Sequence, residues 1–327
     1  MTDRRRGIAL TPMETRRDVI VRAALLAEEL GYEVFSVPEG WGLNSIPVLT
    51  EIALRTRRIG LVSGVLSVWG RSPATLAMTA ATLHDISGGR FILGLGASTR
   101  ALTEGFHDIP FVHVADKLRG TVSRVRALLA GEAPELASVP TARAIRLGVA
   151  PTPEVPIWLA ALSDRSVQVV TELADGWLPL YVDRQRLAAV ASRVTSERSH
   201  QLTVAAGPLA VADDDPFAAR QVAASVTAWY LAAMGDVYSQ SLSNNGYAAE
   251  VAAVRDANPR PRPQGGVIPP EAERILHGFT ACGTRNQVRD RLECWDHGVD
   301  ITMVGCAPGL PWHMIESTLY AAAPVDT

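Results

Sequence analysis

Short apolar segments alternate along the chain with longer stretches in which apolar residues recur at helical spacing. The unit is clearest in residues 59–96, where the β-branched, apolar run Ile59–Leu66 predicts a buried parallel strand. Pro73 opens a predicted helix, because a first helical turn tolerates a residue without an N–H, and Ser87-Gly88-Gly89 ends it. Phe91–Leu95 is a second apolar strand. A strand, a crossover helix and a parallel strand form one right-handed βαβ unit.

The same alternation continues through the rest of the chain. Six further apolar segments predict strands, each followed by a helical pattern: Gly7–Leu10, Val34–Val37, Ile157–Ala160, Trp177–Leu180, Thr203–Val211 and Asp300–Gly305. Capping-box patterns at Thr15 with Asp18 and at Thr284 with Gln287 indicate two helix starts. Eight βα units favour an α/β fold, a closed (β/α)8 TIM barrel. A doubly wound open sheet is the alternative, but the segment TPMETRR after the first strand lacks the glycine-rich turn that it requires.

Three stretches interrupt this alternation. They cover about residues 98–115, 131–154 and 235–283, and the second contains a short apolar run, Ile145–Val149, that predicts an additional strand. Long irregular inserts in a compact domain are usually lids or binding loops. We therefore expect a single domain over residues 1–327, with insertions after the fourth and seventh strands.

Composition narrows the class of protein. The chain has 327 residues, of which 47% are hydrophobic, and a formal net charge of −3. This balance argues against nucleic acid or an anionic membrane as the main partner. No apolar run reaches the roughly 18 residues that a membrane span needs, and the N-terminus does not have the pattern of a signal peptide. Cys282, Cys294 and Cys306 fit no metal or redox spacing and predict three reduced core thiols in a cytoplasmic protein.

The candidate chemistry lies at the C-terminal ends of the predicted strands, where barrels of this type place their active sites. These ends carry mostly small side chains, with few charged groups and one indole: Thr11, Glu39, Trp41, Ser63–Ser67, Ala97, Ser98, Ala160–Arg165, Pro179–Tyr181 and Cys306. They contain no histidine and carboxylate pair at metal spacing, so no metal is expected. Such a set suits a protein that holds a planar organic cofactor and lets the cofactor react.

Two strand ends hold candidate groups around a ring. Glu39 could transfer a proton and Trp41 could stack on a ring face. The alternative is an exposed carboxylate at the rim and a tryptophan in a small hydrophobic cluster. Gly64, inside a predicted buried strand, indicates a bulge or a close backbone approach, with a packing glycine as the alternative.

The loop Ala160–Arg165 is the candidate phosphate site. It joins a predicted strand to a helix N-terminus, where free N–H groups and the helix dipole attract an anion. Ser163 and Arg165 would add donors to that site. The alternative is an ordinary N-cap formed by Ser163 or Asp164.

The segment RSPATLAMTAATLHDI, followed by SGGRFILGLGAS, resembles the signature of the bacterial luciferase-like family of flavin- and deazaflavin-dependent oxidoreductases. Further similarity lies in VPEGWG after the second strand, in AALSDRSVQVVTELADGWLPL across the fifth and sixth strands, and in RNQVRDRLECWDHGVD near the C-terminus. The resemblance covers essentially the whole chain. It is strongest to the branch of the family that uses coenzyme F-420 (F420, an 8-hydroxy-5-deazaflavin).

The resemblance implies a luciferase-like TIM barrel with the cofactor at its C-terminal mouth. It implies a bulge with a non-proline cis peptide at Ser63-Gly64 that backs the central ring, and a phosphate site on the loop after the fifth strand. Glu39 matches the position of a proton-transfer group, and Trp41 matches a ring-flanking aromatic residue. The cofactor-binding residues are then Ser63, Gly64, Val65, Ser67, Ala97, Ser98, Ala160, Ala161, Leu162, Ser163, Asp164 and Arg165.

The expected function is that of a cytoplasmic oxidoreductase that transfers a hydride between F420 and a small organic substrate. Two alternatives stay open: a two-component monooxygenase that uses reduced FMN and O₂, and a redox-inactive binding protein on the same barrel. Dimers are common in the family, so a homodimer is one candidate assembly and the oligomeric state stays open; a flavin or F420 reductase is a candidate electron source. Ser98-Thr99-Arg100 and Ser163-Asp164 replace a glycine-proline pair that is common in relatives, and the substrate stays open.

Overall fold

Parallel strands and helices alternate along the chain and form a closed barrel. The structure, a computed structural model, describes residues 4–136, 139–196 and 202–324. Its strands are β1 (Arg6–Ala9), β2 (Val34–Val37), β3 (Gly60–Ser63), β4 (Leu66–Ser67), β5 (Phe91–Gly96), β6 (Ile157–Ala160), β7 (Gly176–Trp177), β8 (Thr203–Ala206), β9 (Leu209–Ala212), β10 (Thr280–Gly283) and β11 (Ile301–Cys306). Neighbouring strands pair in the order β1-β2-β3-β5-β6-β7-β8-β11, and β11 pairs with β1 to close the ring. The predicted (β/α)8 barrel is confirmed.

The helices surround this ring. They are α1 (Arg17–Glu29), α2 (Ser45–Arg55), α3 (Pro73–Ser87), α4 (Arg100–Gly105), α5 (Val114–Leu129), α6 (Asp164–Leu173), α7 (Arg184–Ser196), α8 (Pro216–Ala233), α9 (Asp236–Leu242), α10 (Ala248–Ala257), α11 (Glu273–Phe279), α12 (Arg285–Asp296) and α13 (Trp312–Ala321). A π-helical turn (Ser243–Tyr247) joins α9 to α10, and a 3₁₀ turn (Pro270–Ala272) precedes α11. Three helices with two short turns therefore occupy the predicted insert after the seventh barrel strand.

Local signals located several helix ends correctly. Pro73 begins α3, and Gly88 ends it with a left-handed φ of 65°. Thr284 forms the predicted capping box at the start of α12. The capping box predicted at Thr15 is wrong, because Arg16 is the N-cap of α1 and the Glu14 carboxylate accepts the Arg16 backbone N–H at 3.0 Å.

Two barrel strands are interrupted where the sequence predicts continuous ones. Residues 64–65 separate β3 from β4, and Gly207-Pro208 separates β8 from β9. Pro208 has no N–H for the strand ladder, and a Cβ on Gly207 would lie 2.1 Å from the Met303 carbonyl oxygen. The single predicted strand Thr203–Val211 is therefore wrong, although both pieces pair with β11.

The inserts differ from the prediction in two places. β10, at the end of the insert after β9, pairs in parallel with β9, and the sequence analysis missed it. The strand predicted at Ile145–Val149 is wrong. Ile145 is 79% exposed and Val149 is 59% exposed, so this run buries neither of its apolar ends against a sheet. Apolar character without a neighbouring strand edge does not produce a strand.

Six buried side chains form a second core inside the ring, separate from the one between the sheet and the helices. They are Val34, Val62, Trp158, Ala205, Ile301 and Met303. Their neighbours along each strand pack in the other core, as the alternation of strand side chains requires. This inner cluster is the base on which the C-terminal mouth of the barrel stands.

Arg6 in β1 anchors the first strand to the last two helices. Its side chain is fully buried, and Nη2 lies 2.7 Å from Oδ2 of Asp296 in α12. Nη1 donates to the Ala322 carbonyl at 3.2 Å, and Thr302 Oγ1 donates to the other Asp296 oxygen at 2.6 Å. The buried guanidinium therefore has a charged partner and further hydrogen-bond partners, as a buried charge requires.

Glu28, near the end of α1, binds the backbone of the segment that leads into β3. Its carboxylate accepts hydrogen bonds from three consecutive backbone amides, those of Arg57 at 2.9 Å, Arg58 at 2.7 Å and Ile59 at 2.9 Å. Burial opposes ionisation of Glu28, but these hydrogen bonds outweigh it and lower its pKa below the ordinary value of 4.5. The ionised form is therefore the one that stabilises the fold.

We expect Glu28→Gln to reduce the free energy of unfolding by about 1–2 kcal/mol at pH 7, because the amide accepts these hydrogen bonds without a charge. Since the pKa is lowered in the folded state, the carboxylate contributes fully above pH 4.5 and loses its contribution as the pH falls through the lower folded value. Urea unfolding at several pH values should therefore show a difference that shrinks in acid. The neighbouring exposed Glu29→Gln is the control. A pH-independent difference for Glu28→Gln would contradict this account.

The cysteines differ in their surroundings, contrary to the prediction of three core thiols. Cys306 is buried, Cys282 is half-buried and Cys294 is exposed on α12, and all three are free. Cys294 lies on the outer side of a helix whose buried positions are Val288, Leu292 and Trp295, which explains its exposure.

In the described ranges, no helix is long and apolar enough to cross a membrane. The described residues also contain no cluster of three His, Cys, Asp or Glu side chains placed to hold a metal ion.

Candidate active site

A cavity of about 150 Å³ lies at the C-terminal mouth of the barrel. Its floor comes from the strands and the residues that follow them, and includes Ser36, Gly64, Val65, Ala160 and Met303. Its roof comes from outside the ring: Tyr181, Tyr230, Tyr238 and Phe279. The described residues that line the cavity include no charged side chain. An apolar cavity with a few polar groups is the usual form of a small-molecule site.

The four rings of the roof pack on one another. The Tyr181 ring lies 5.1 Å from that of Tyr230, 5.8 Å from Tyr238 and 6.2 Å from Phe279, measured between centroids. Burial raises the pKa of Tyr238 to about 12 and also raises the pKa values of Tyr181 and Tyr230. All three phenols are therefore protonated at pH 7, and the roof is uncharged.

The bulge between β3 and β4 forms part of the floor. A non-proline cis peptide is present, as the family resemblance implied, but it joins Gly64 to Val65 and not Ser63 to Gly64. The Gly64 N–H donates to the Val37 carbonyl at 2.9 Å, so the bond between Ser63 and Gly64 still belongs to the strand ladder. A Cβ on Gly64 would lie 1.8 Å from Ser36 Oγ, so this position has no room for a side chain.

Several predicted cofactor residues lie beside the cavity and use their polar groups elsewhere. Ser63 Oγ donates to the Gly94 carbonyl at 3.0 Å and accepts the Gly94 N–H at 2.9 Å, which joins β3 to β5. Ser67 Oγ accepts the Trp69 backbone N–H at 3.2 Å, and the Ala97 carbonyl accepts Trp69 Nε1 at 3.0 Å. Ser98 has a left-handed φ of 61° before α4. None of these four residues lines the cavity, whereas Gly64 and Val65 do.

The loop after β6 starts α6. Ser163 is the N-cap of α6, and its Oγ accepts the Ser166 N–H at 3.3 Å, so the cap that was the alternative interpretation is present. Ala160 lines the cavity, whereas the Ala161 carbonyl accepts Trp177 Nε1 at 2.9 Å and Leu162 packs against the core. Asp164, 83% exposed, lies 3.7 Å from Arg186, and Arg165 is exposed. The loop thus brings a helix N-terminus and two arginines close to the mouth.

Glu39 lies at the rim and does not line the cavity. Arg71 forms a two-pronged ion pair with its carboxylate, with one contact of 2.8 Å, and Glu39 Oε2 also accepts the Ser45 N–H at 3.2 Å. Both side chains are mostly buried, with 16% of Glu39 and 15% of Arg71 exposed. The carboxylate is therefore held in one orientation between the end of β2 and the start of α2.

Trp41 lies at the same rim and is 42% exposed. Its ring centroid is 6.0 Å from that of Trp229, which in turn is 5.7 Å from Tyr230 in the roof. Neither Glu39 nor Trp41 lines the cavity, but Trp41 is connected to it through aromatic contacts. Tyr181, which was among the predicted strand ends, does line the cavity.

The cavity fits an uncharged planar group. Thr11 at the end of β1 lines the cavity, and within the described residues its buried Oγ1 has no hydrogen-bond partner. A ligand with a polar edge would satisfy this hydroxyl, whose isolation costs free energy. The cavity is smaller than the about 300–1,000 Å³ of most ligand pockets, so a tricyclic ring enters only if the roof moves outward.

The roof residues Tyr230, Tyr238 and Phe279 were missed by sequence reasoning. They come from α8, α9 and α11, far along the chain from the strand ends that they cover. One usable signal was the Trp229-Tyr230 pair in a chain with only 6% aromatic residues. Because this pair lies on a helix and not at a strand end, the sequence pattern does not place it at the barrel mouth.

Comparison with known proteins identifies one family. The model of the luciferase-like monooxygenases matches residues 2–299. A Mycobacterium tuberculosis protein, whose provisional name is coenzyme F420-dependent oxidoreductase, is 32% identical over 169 residues. That match covers 47% of this chain and 49% of the relative, so the chain aligns with about half of that protein.

Two further proteins match over most of their length. The 5,10-methylenetetrahydromethanopterin reductase of Archaeoglobus fulgidus is 28% identical over 280 residues, which cover 82% of each chain. The solved structure of the coenzyme F420-dependent tetrahydromethanopterin reductase from Methanopyrus kandleri has a TM-score of 0.74. It is 20% identical and covers 98% of each chain, which supports the barrel fold.

Proposed function

The chain belongs to the luciferase-like monooxygenase family, and from that membership we propose that it is an F420-dependent oxidoreductase that transfers a hydride between the deazaflavin and an organic substrate. The oxidoreductase class is common to its relatives. The observation that supports the choice of F420 is the match to the M. tuberculosis protein whose name specifies coenzyme F420, at 32% identity over 169 residues.

The floor of the cavity would hold the deazaflavin ring. Gly64, Val65 and Ala160 present backbone and small side chains over which a flat ring fits, and Thr11 Oγ1 offers a hydrogen bond to a polar ring edge. When bound, the cofactor would supply or accept the hydride. The protein's part is to orient the ring and the substrate and to exclude water by closing the roof.

The N-terminus of α6 would hold the cofactor phosphate. Its free N–H groups attract an anion, and Arg165 and Arg186 add positive charge beside it. Arg186 already contacts Asp164 and Asn245, so phosphate binding would compete with these partners. Ser98, Ala97 and Ser67 would contact the cofactor through the loops on the opposite side of the mouth.

Glu39 and Trp41 would act on the substrate side of the ring. Trp41 would limit the space at the rim, and Glu39 would give or take the proton that accompanies hydride transfer. For this step the carboxylate has to leave or share its ion pair with Arg71, because both of its oxygens are hydrogen-bonded in the structure. The role of Glu39 is therefore a sharp test of the proposed mechanism.

Titration with F420 and with FMN tests the proposed function. Absorbance or fluorescence changes of each cofactor should show micromolar binding of F420 and much weaker binding of FMN. Binding of FMN without binding of F420 would reject the proposal. A cofactor spectrum of the purified protein would give an independent result.

The second candidate is a monooxygenase that uses reduced FMN and O₂, as the name of the matching family suggests. Oxygen consumption with an added flavin reductase, and none with F420, would favour it. If neither cofactor binds, a redox-inactive binding protein becomes the better description. A homodimer and a partner reductase stay predictions.

A further inference from the structure

Six of the chain's 19 aromatic residues contact one another at the barrel mouth. Aromatic side chains make up only 6% of the sequence, yet three of its six tyrosines lie together at the barrel mouth. A connected series of rings, here called the aromatic wall, runs from the exposed rim to the cavity. Its members are Trp41, Trp229, Tyr230, Tyr181, Tyr238 and Phe279.

The contacts along this wall are continuous. Trp41 and Trp229 are 6.0 Å apart, Trp229 and Tyr230 are 5.7 Å apart, and Tyr230 lies 5.4 Å from Tyr238, between ring centroids. These spacings are typical of offset and edge-to-face aromatic pairs. The inner rings are buried except for Tyr238, which is half-buried, whereas Trp41 is 42% exposed and reaches solvent. The wall therefore offers one aromatic surface from the entrance to the interior.

Backbone conformation at Tyr181 supports a role beyond packing. Tyr181 is 7% exposed and has a φ of 54°, in the left-handed region that side chains rarely occupy. Such residues cluster at ligand-binding sites, where the surrounding structure holds them in place. Packing against Tyr230, Tyr238 and Phe279 holds the Tyr181 ring over the cavity.

Charge sets the chemical class of the ligand. No charged side chain lines the cavity in the part of the chain that the structure describes. At the rim, Glu39 and Arg71 neutralise each other in an ion pair. A carboxylate or phosphate bound against the wall would lose water without gaining a partner, which is strongly unfavourable.

We infer that the aromatic wall is the substrate-binding surface and that the substrate is an uncharged molecule with a planar ring. This inference rests on the proposed function only in placing the cofactor on the floor, opposite the wall. With the roof moved outward, a substrate ring stacked on the wall would lie between Tyr238 and the cofactor ring on the floor. Organic anions and phosphorylated sugars are then excluded as substrates.

A matched pair of ligands tests this inference. 4-Acetylbenzamide and 4-acetylbenzoate have nearly the same shape and differ in charge. Calorimetric titration of the protein, both with F420 added and without it, should show that the amide binds at least ten times more tightly than the carboxylate. Equal affinities, tighter binding of the carboxylate, or no binding of either compound at millimolar concentration would overturn the inference.

A charge placed in the wall should reverse this selectivity. Tyr238→Arg puts a guanidinium beside the cavity and should reduce the preference for the amide at least tenfold. Gln240→Arg, on the exposed side of the same helix α9, is the matched control and should keep the wild-type ratio. An unchanged ratio in Tyr238→Arg, or the same change in both variants, would contradict the assignment. If Tyr238→Arg does not fold, the wild-type comparison of the two ligands still decides.

The outcome separates this inference from the proposed function. If F420 does not bind but the protein still binds the amide more tightly than the carboxylate, the cofactor assignment is wrong and the assignment of the aromatic wall is supported. If F420 binds but the protein binds the carboxylate more tightly than the amide, the cofactor assignment is supported and the assignment of the aromatic wall is wrong.

Discussion

Replacing Glu39 by glutamine should lower turnover by about 10²-fold or more, because an amide cannot give or take the proton that general acid–base catalysis supplies. Glutamine keeps the size of the side chain and an oxygen that can accept the Ser45 N–H, so F420 affinity should change only a few-fold. Turnover is measured by the oxidation of reduced F420 with a neutral ketone such as 4-acetylbenzamide. Binding is measured by titration of the same preparations.

The control for Glu39→Gln is Glu51→Gln, which removes a carboxylate ion-paired with Arg17 on the outside of α2. Turnover in this variant should equal that of the wild type. If Glu39→Gln also leaves turnover unchanged, Glu39 serves only to orient Arg71 and the start of α2. The proton would then have to come from another group at the mouth.

Replacing Arg6 by methionine should reduce the free energy of unfolding by about 3–5 kcal/mol, the usual cost of removing one partner of a buried ion pair. Methionine fills much of the same volume, but it leaves Asp296 only 12% exposed and without its charged partner. The carbonyl of Ala322 also loses a donor. Urea unfolding at pH 7, followed by far-UV circular dichroism, measures the difference.

Arg5→Met is the matched control for Arg6→Met. Arg5 pairs with Glu33 at 2.6 Å, but its side chain is 44% exposed, and exposed pairs contribute about 0–1 kcal/mol. The double variant Arg6→Met with Asp296→Leu should recover part of the lost stability, because no unpaired charge remains. A loss below 1 kcal/mol in Arg6→Met would show that Asp296 is stabilised well enough without the guanidinium.

Features that depend on neighbouring residues were predictable from the sequence. The apolar runs of β2 and β6 and the glycine cap of α3 were placed correctly, because burial and capping act within a few residues. Gly64 indicated the bulge for the same reason. Gly207-Pro208 carried a comparable signal, and reading it would have divided the seventh barrel strand correctly.

Features that depend on distant contacts were not predictable. β10 exists because β9 offers a free edge on the outside of the ring, and no local pattern in residues 280–283 states this. The ion-pair partner of Glu39 is Arg71, which is 32 positions away along the chain. The roof is assembled from four segments that are distant along the chain, so a search of strand ends found Tyr181 but not Tyr230, Tyr238 and Phe279.

The joining of β1 to β11 has a consequence for how this protein is made. During synthesis β1 is made first, whereas its second neighbour in the ring, β11, is made after the other strands described above. Asp296, whose carboxylate neutralises Arg6, is made only shortly before β11. Before β11 and Asp296 have been made, the nascent chain has an unpaired sheet edge at β1 and a guanidinium without its charged partner. Chaperones or other nascent chains can bind such an exposed edge. The ring therefore closes only after β11 has been synthesised, and the speed of closure depends on contacts between segments that lie far apart along the chain.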